Sequence, residues 1–135
     1  MTNLYTELDG VFLEHAAKDC LRLPDGTVWR YQDLRDMVAR IARLLLQKGV
    51  KPGDRVVVQV EKSAENLALY LATICVGGVY VPLNTAYTAT ELDYFVGDAE
   101  PALFVGREPR SDVASLTLQA DSSGTLVEQL ESAVP

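Results

Sequence analysis

The sequence predicts an α/β fold: a partial, mostly parallel sheet flanked by helices, with an N-terminal β-hairpin. Three observations carry this. Short apolar runs at 56–60, 79–81, 102–105 and 115–118 alternate with stretches of helical periodicity, the pattern of successive βα units. Val56-Val57-Val58 and Val60 are apolar on both faces, as a strand covered on both sides requires. Two alternating runs, Cys20–Leu23 and Thr27–Arg30, flank Pro24-Asp25-Gly26, which reads as a hairpin turn.

Taken in order, Leu4, Leu8, Val11, Phe12 and His15 recur at helical spacing, so a helix is expected over Leu4–Ala17, with Gly10 weakening its middle. The hairpin follows, and Trp29 is read as its packing anchor. Gln32–Lys48 is the strongest helix: Leu34, Met37, Val38, Ile41, Ala42, Leu44 and Leu45 form one broad stripe. Its arginines are read as a solvated face. Lys51-Pro52-Gly53-Asp54 turns the chain into the valine strand. Ser63 is placed to cap a helix over residues 64–76, apolar enough to be buried on more than one side, with Cys75 read as a small core residue.

Residues 73–98 then give a helix end, a glycine break, the strand Val79–Val81 stopped by Pro82, a loop from Leu83 to Thr88, and a helix Ala89–Asp98 capped by Thr88 or Thr90. In parallel sheets ligands gather at the carboxyl ends of strands, so Asn84-Thr85-Ala86-Tyr87 is the first place to look for a site. The strand Ala102–Val105 ends at Gly106 and leads into the basic loop Arg107-Glu108-Pro109-Arg110. Ser115–Leu118 is read as a last strand, Asp121–Gly124 as a turn and Thr125–Glu131 as a short helix. Nothing obvious closes the sheet.

With 135 residues, 48% of them hydrophobic, the chain has the length of one domain with a sizeable core. A net charge of −7 argues against a nucleic-acid backbone as partner. Two cysteines without a CxxC and a single histidine, His15, supply no metal-ligand set and no disulfide framework. The N-terminus lacks the features of a signal peptide and no apolar run has the length of a membrane span, so a cytoplasmic location is expected. The sequence contains no GxxxxGK[ST], GxGxxG or GxSxG. The residues alone describe an α/β domain without a recognisable catalytic centre.

A resemblance adds to this. The run from Asp25 to Val105 resembles the N-terminal region of the adenylate-forming acyl-CoA synthetases. The carrying segments are Tyr31 and Leu34 opening the long helix, Gly49-Val50-Lys51-Pro52-Gly53-Asp54-Arg55-Val56, Gly77-Gly78-Val79-Tyr80-Val81-Pro82-Leu83-Asn84, and Tyr87–Leu92. The wording of Val60–Ser63, Asn84–Thr88 and Asp98–Pro101 is most similar to the malonate–CoA ligases (malonyl-CoA synthetases). One departure is Arg30, where the family usually has Ser or Thr capping the long helix, a loss of about 1 kcal/mol.

The resemblance implies an acid–thiol ligase using ATP, Mg²⁺ and coenzyme A, and it makes this chain an incomplete N-terminal subdomain of the adenylate-forming ligase fold. It also implies that the lysine-bearing ATP loop, the carboxylate pocket and the C-terminal lysine lie downstream, so no catalytic residue is carried over. Only a coenzyme A wall is: Asn84, Thr85 and Ala86, with Arg107 and Arg110 as phosphate partners. The expectation is therefore one partial domain over 1–135, inactive alone; the alternative is a non-catalytic assembly module complementing a separate chain. Apolar surface left open on helix 64–76 and on the last strand would favour self-association.

Overall fold

The computed structural model describes residues 3–130. Eleven elements follow one another: α1 (Leu4–Glu14), β1 (Asp19–Arg22), β2 (Val28–Arg30), α2 (Tyr31–Gln47), β3 (Arg55–Gln59), α3 (Ala64–Cys75), β4 (Val79–Pro82), α4 (Ala89–Ala99), β5 (Leu103–Gly106), β6 (Ser115–Thr117) and α5 (Thr125–Leu130). β3 to β6 form one parallel sheet in the order β4-β3-β5-β6, and β1 and β2 form the antiparallel hairpin.

Local chemistry sets the helix ends. The Asn3 side chain accepts from the Thr6 N–H and starts α1, while its Nδ2 donates to the Ile74 carbonyl, 3.1 Å away, tying α1 to the end of α3. α1 ends at Glu14, short of the expected Ala17, and His15 caps it. Ser63 Oγ accepts from the Asn66 N–H at 3.0 Å. Thr88 and Glu91 make a reciprocal capping box, the hydroxyl accepting from the Glu91 N–H and the carboxylate from the Thr88 N–H. At Arg30 only the backbone half of such a box exists: its N–H donates to Asp33 Oδ2 at 2.8 Å.

The sheet has two unequal faces. On one, Val56, Val58, Leu103, Val105, Leu116 and Leu118 pack under α2, α3 and α5 with Leu34, Ile41, Leu45 and Leu69, all essentially solvent-free. On the other, Val57 and Phe104 are buried with Val96 of α4, and Val81, Leu83 and Leu92 gather around them. The alternation of Val56, Val57 and Val58 between the two clusters is the period-2 geometry of a central strand.

Three expectations change. Cys75 sits at the last residue of α3 and is exposed. α3 itself buries a broad arc against its neighbours and leaves apolar surface open at Leu67 and Tyr70, 36% and 40% exposed, as expected. The last strand leaves no apolar surface open, since Leu116 and Leu118 are buried. Arg35, on the supposedly solvated side of α2, pairs with Asp9 of α1 at 2.6 Å.

Both rims of the sheet are also blunted. Val79 and Leu83 donate to Asp54 and Val58 of the β3 side, so the alternate positions Tyr80 and Pro82 turn their nitrogens to the outer edge, and Pro82 has no N–H. At the other rim the Thr117 N–H donates to Thr125 Oγ1 at 2.8 Å, and the Thr125 N–H returns a bond to Thr117 Oγ1 at 2.9 Å. Gly124 makes this clasp possible: its φ is +131°, and a Cβ there would overlap the Thr117 carbonyl. Among the described residues no helix is long and apolar enough to cross a membrane.

Candidate cofactor-binding site at the strand ends

The carboxyl ends of β3 and β5 meet in register at Gln59 and Gly106. Beyond them lies an open cavity of about 770 Å³, walled by α4, by the 107–110 loop and by Gln119. Residue 106 can only be glycine without rearrangement, because a Cβ would enter the Phe104 ring. That close approach seats the ring beneath the loop, on the face that α4 covers.

The loop after β4 is held from several sides. Asn84 Oδ1 accepts from the Ala86 N–H at 2.8 Å, an Asx turn. The Asn84 carbonyl accepts from Gln59 Nε2 at 3.0 Å. Arg107 Nη2 donates to the Thr85 carbonyl at 3.1 Å, and the Arg107 carbonyl in turn accepts from Gln119 Nε2 at 2.6 Å. The structure thus brings Asn84, Thr85, Ala86 and Arg107 together, as the sequence placed them. Arg107 is exposed and keeps most of its N–H donors free of protein partners.

Arg110 is differently placed from the phosphate partner expected of it. Its Nε and Nη2 form a fork on Asp112 at 2.9 and 2.8 Å, and Nη2 also reaches Asp93 of α4 at 2.9 Å. The guanidinium lies 5.7 Å from the Phe104 ring centroid. The paired carboxylates raise the Arg110 pKa, Asp112 foremost, and the same bonds hold the Asp112 carboxyl below its ordinary range. Arg110 fastens the loop to α4; its charge is already matched by two carboxylates, and Glu108 adds a third on the same loop. Arg107 is the arginine of the pair that faces the cavity without a carboxylate partner.

Among the described residues no three His, Cys, Asp or Glu side chains lie together as a metal-binding set. Sequence reasoning missed Gln59. Its signal was present: the single polar residue in the valine run 56–60, near its carboxyl end.

The chain is similar to several known proteins. The model of the AMP-binding enzyme family matches residues 12–134. The acyl-CoA ligase sidI of Aspergillus fumigatus is 32% identical over 120 residues, 84% of this chain and 20% of that protein. Enterobactin synthase component F of Escherichia coli K12 is 38% identical over 120 residues, 83% of this chain and 9% of that protein. The crystal structure of ATP-bound MatB from Rhodopseudomonas palustris superposes with a TM-score of 0.90 at 38% identity, over 97% of this chain and 28% of that one. The chain therefore spans less than a third of the length of each of these three relatives, and within that span it belongs to the AMP-binding family of adenylate-forming enzymes.

Proposed function

We propose that residues 1–135 are one partial domain, the N-terminal segment of an AMP-forming acid–thiol ligase acting on malonate. The family match over residues 12–134 carries this reading. The choice of malonate is supported by the wording of Val60–Ser63 and Asn84–Thr88 and by the 38% identity to MatB. In the proposed reaction a carboxylate oxygen attacks the α-phosphate of ATP, and pyrophosphate leaves. The thiol of coenzyme A then attacks the acyl-adenylate carbonyl, loses its proton and releases AMP. A cytoplasmic location goes with these substrates.

The part of this chain is to form one wall of the coenzyme A site. Asn84, Thr85 and Ala86 shape the wall, Arg107 supplies a cation at its mouth and Arg110 holds it to α4. Support for Arg107 is its exposure and its unspent donors. The test mixes the pure chain with ATP, Mg²⁺, malonate and coenzyme A, with and without a polypeptide carrying the remaining length of the MatB fold. AMP and malonyl-CoA are expected only in the second mixture. AMP formed by the chain alone, or no acyl-CoA from any carboxylate in the complemented mixture, would overturn the proposal.

A further inference from the structure

Gln59 is 6% exposed, yet it lines the strand-end cavity. Its Nε2 donates to the Asn84 carbonyl at 3.0 Å, and its Oε1 has no partner among the described residues. No fully buried side-chain oxygen or nitrogen among those residues lacks a partner, so this oxygen opens onto the cavity. Its orientation is fixed. Turning the amide over would set Oε1 against the Asn84 carbonyl, two acceptors face to face, so Nε2 stays on the loop and Oε1 on the cavity. A nearly buried acceptor with nothing to accept costs little while water reaches it, and much once a ligand that lacks a donor displaces that water.

The walls beside Gln59 narrow the choice of ligand. Tyr87, Leu92 and Phe104 give flat apolar surface, the Tyr87 ring stacked on Phe95 with centroids 4.9 Å apart. Arg107 stands at the mouth, one residue beyond the register partner of Gln59. Carboxylates on Asp93, Glu108 and Asp112 outnumber the arginines on this side. The electrostatics therefore favour an uncharged donor-bearing ring inside and a single anionic group at Arg107.

Resting on the coenzyme A reading above, we propose that Gln59 is a specificity-determining residue that reads the amino group of a 6-aminopurine ring through Oε1, while Arg107 meets the nucleotide's phosphate. With Nε2 held on the Asn84 carbonyl, the Oε1 acceptor selects an amine over a carbonyl or a bare C–H at the ring position it faces.

The test compares ligands on the unsubstituted chain by calorimetry: adenosine 3′,5′-bisphosphate, its 6-desamino analogue and its 6-oxo analogue. Loss of one hydrogen bond to a buried acceptor predicts about five- to tenfold weaker binding of the desamino compound. The 6-oxo compound, which opposes two acceptors, is expected to bind more weakly still. In Gln59→Leu the amino and desamino compounds are expected to bind alike. Equal binding of the two by the unsubstituted chain overturns the role of Gln59 and leaves the cofactor reading standing. Absence of binding by all three nucleotides overturns both.

Discussion

Replacing Gly124 by alanine tests the clasp that seals the outer rim of β6. At φ +131° an L-residue with a Cβ is strained by about 1–3 kcal/mol. The added carbon would also enter the Thr117 carbonyl and approach Thr117 Oγ1 to 3.0 Å. The turn must move, and the reciprocal Thr117–Thr125 bonds of 2.8 and 2.9 Å are lost, at about 1 kcal/mol each. Together these give a destabilisation of about 3–5 kcal/mol. At roughly 3 °C per kcal/mol for a chain of this size, the melting temperature falls by about 10–15 °C. Gly97 is the internal control: it lies inside α4 with nothing within 4 Å of a built Cβ. Gly97→Ala is expected to stabilise by about 0.5–1 kcal/mol through lower unfolded-state entropy. Urea unfolding of both variants beside the parent, at constant m-value, reads the two effects. A Gly124→Ala protein within about 1 kcal/mol of the parent would show that the clasp does not hold α5 in place.

Two further outcomes follow from the same bonds and burials. Arg30→Ser supplies the missing hydroxyl acceptor for the Asp33 N–H while keeping the existing bond from residue 30 to the Asp33 carboxylate, so the urea midpoint is expected to rise by the equivalent of about 0.5–1 kcal/mol. Burial, and behind it the Asp9 carboxylate, push the Tyr5 hydroxyl above its ordinary value of 10.0, and burial does the same at Tyr80. The folded state therefore holds these protons more tightly than the unfolded chain. Their stabilisation is full below about pH 10 and is lost as pH rises through the raised values. Urea midpoints at pH 8, 10 and 11 should fall less steeply for Tyr5→Phe than for the parent, and equal slopes would remove Tyr5 from the account.

Much of the fold was legible because its signals are local. Ser63 and Thr88 announce helix starts through bonds to backbone three residues on, and the valines of β3 report cover on both faces of one short strand. The candidate site was legible only as far as backbone positions: Asn84, Thr85, Ala86 and Arg107 do converge. Arg110 is placed differently from the phosphate partner expected because it forks onto Asp112, two residues along its own loop, and reaches Asp93, 17 residues away on a helix the sequence could not orient toward it. Gln59 was overlooked because its meaning depends on the strand end it shares with Gly106. Cys75 was placed in the core by composition, whereas its position at the last residue of α3 turns it outward.

Pro82 on one rim and the Thr117–Thr125 clasp on the other bear on how copies of this chain can gather. A sheet with open rims templates its neighbour, and each addition presents a fresh rim, so growth runs on into fibres. Here Pro82 and the Thr117–Thr125 clasp each interrupt a rim, while Leu67 and Tyr70 of α3 stay part-exposed. Association through these two side chains consumes them. Light scattering with rising concentration is therefore expected to climb to a plateau of small assemblies, and these should part again on dilution.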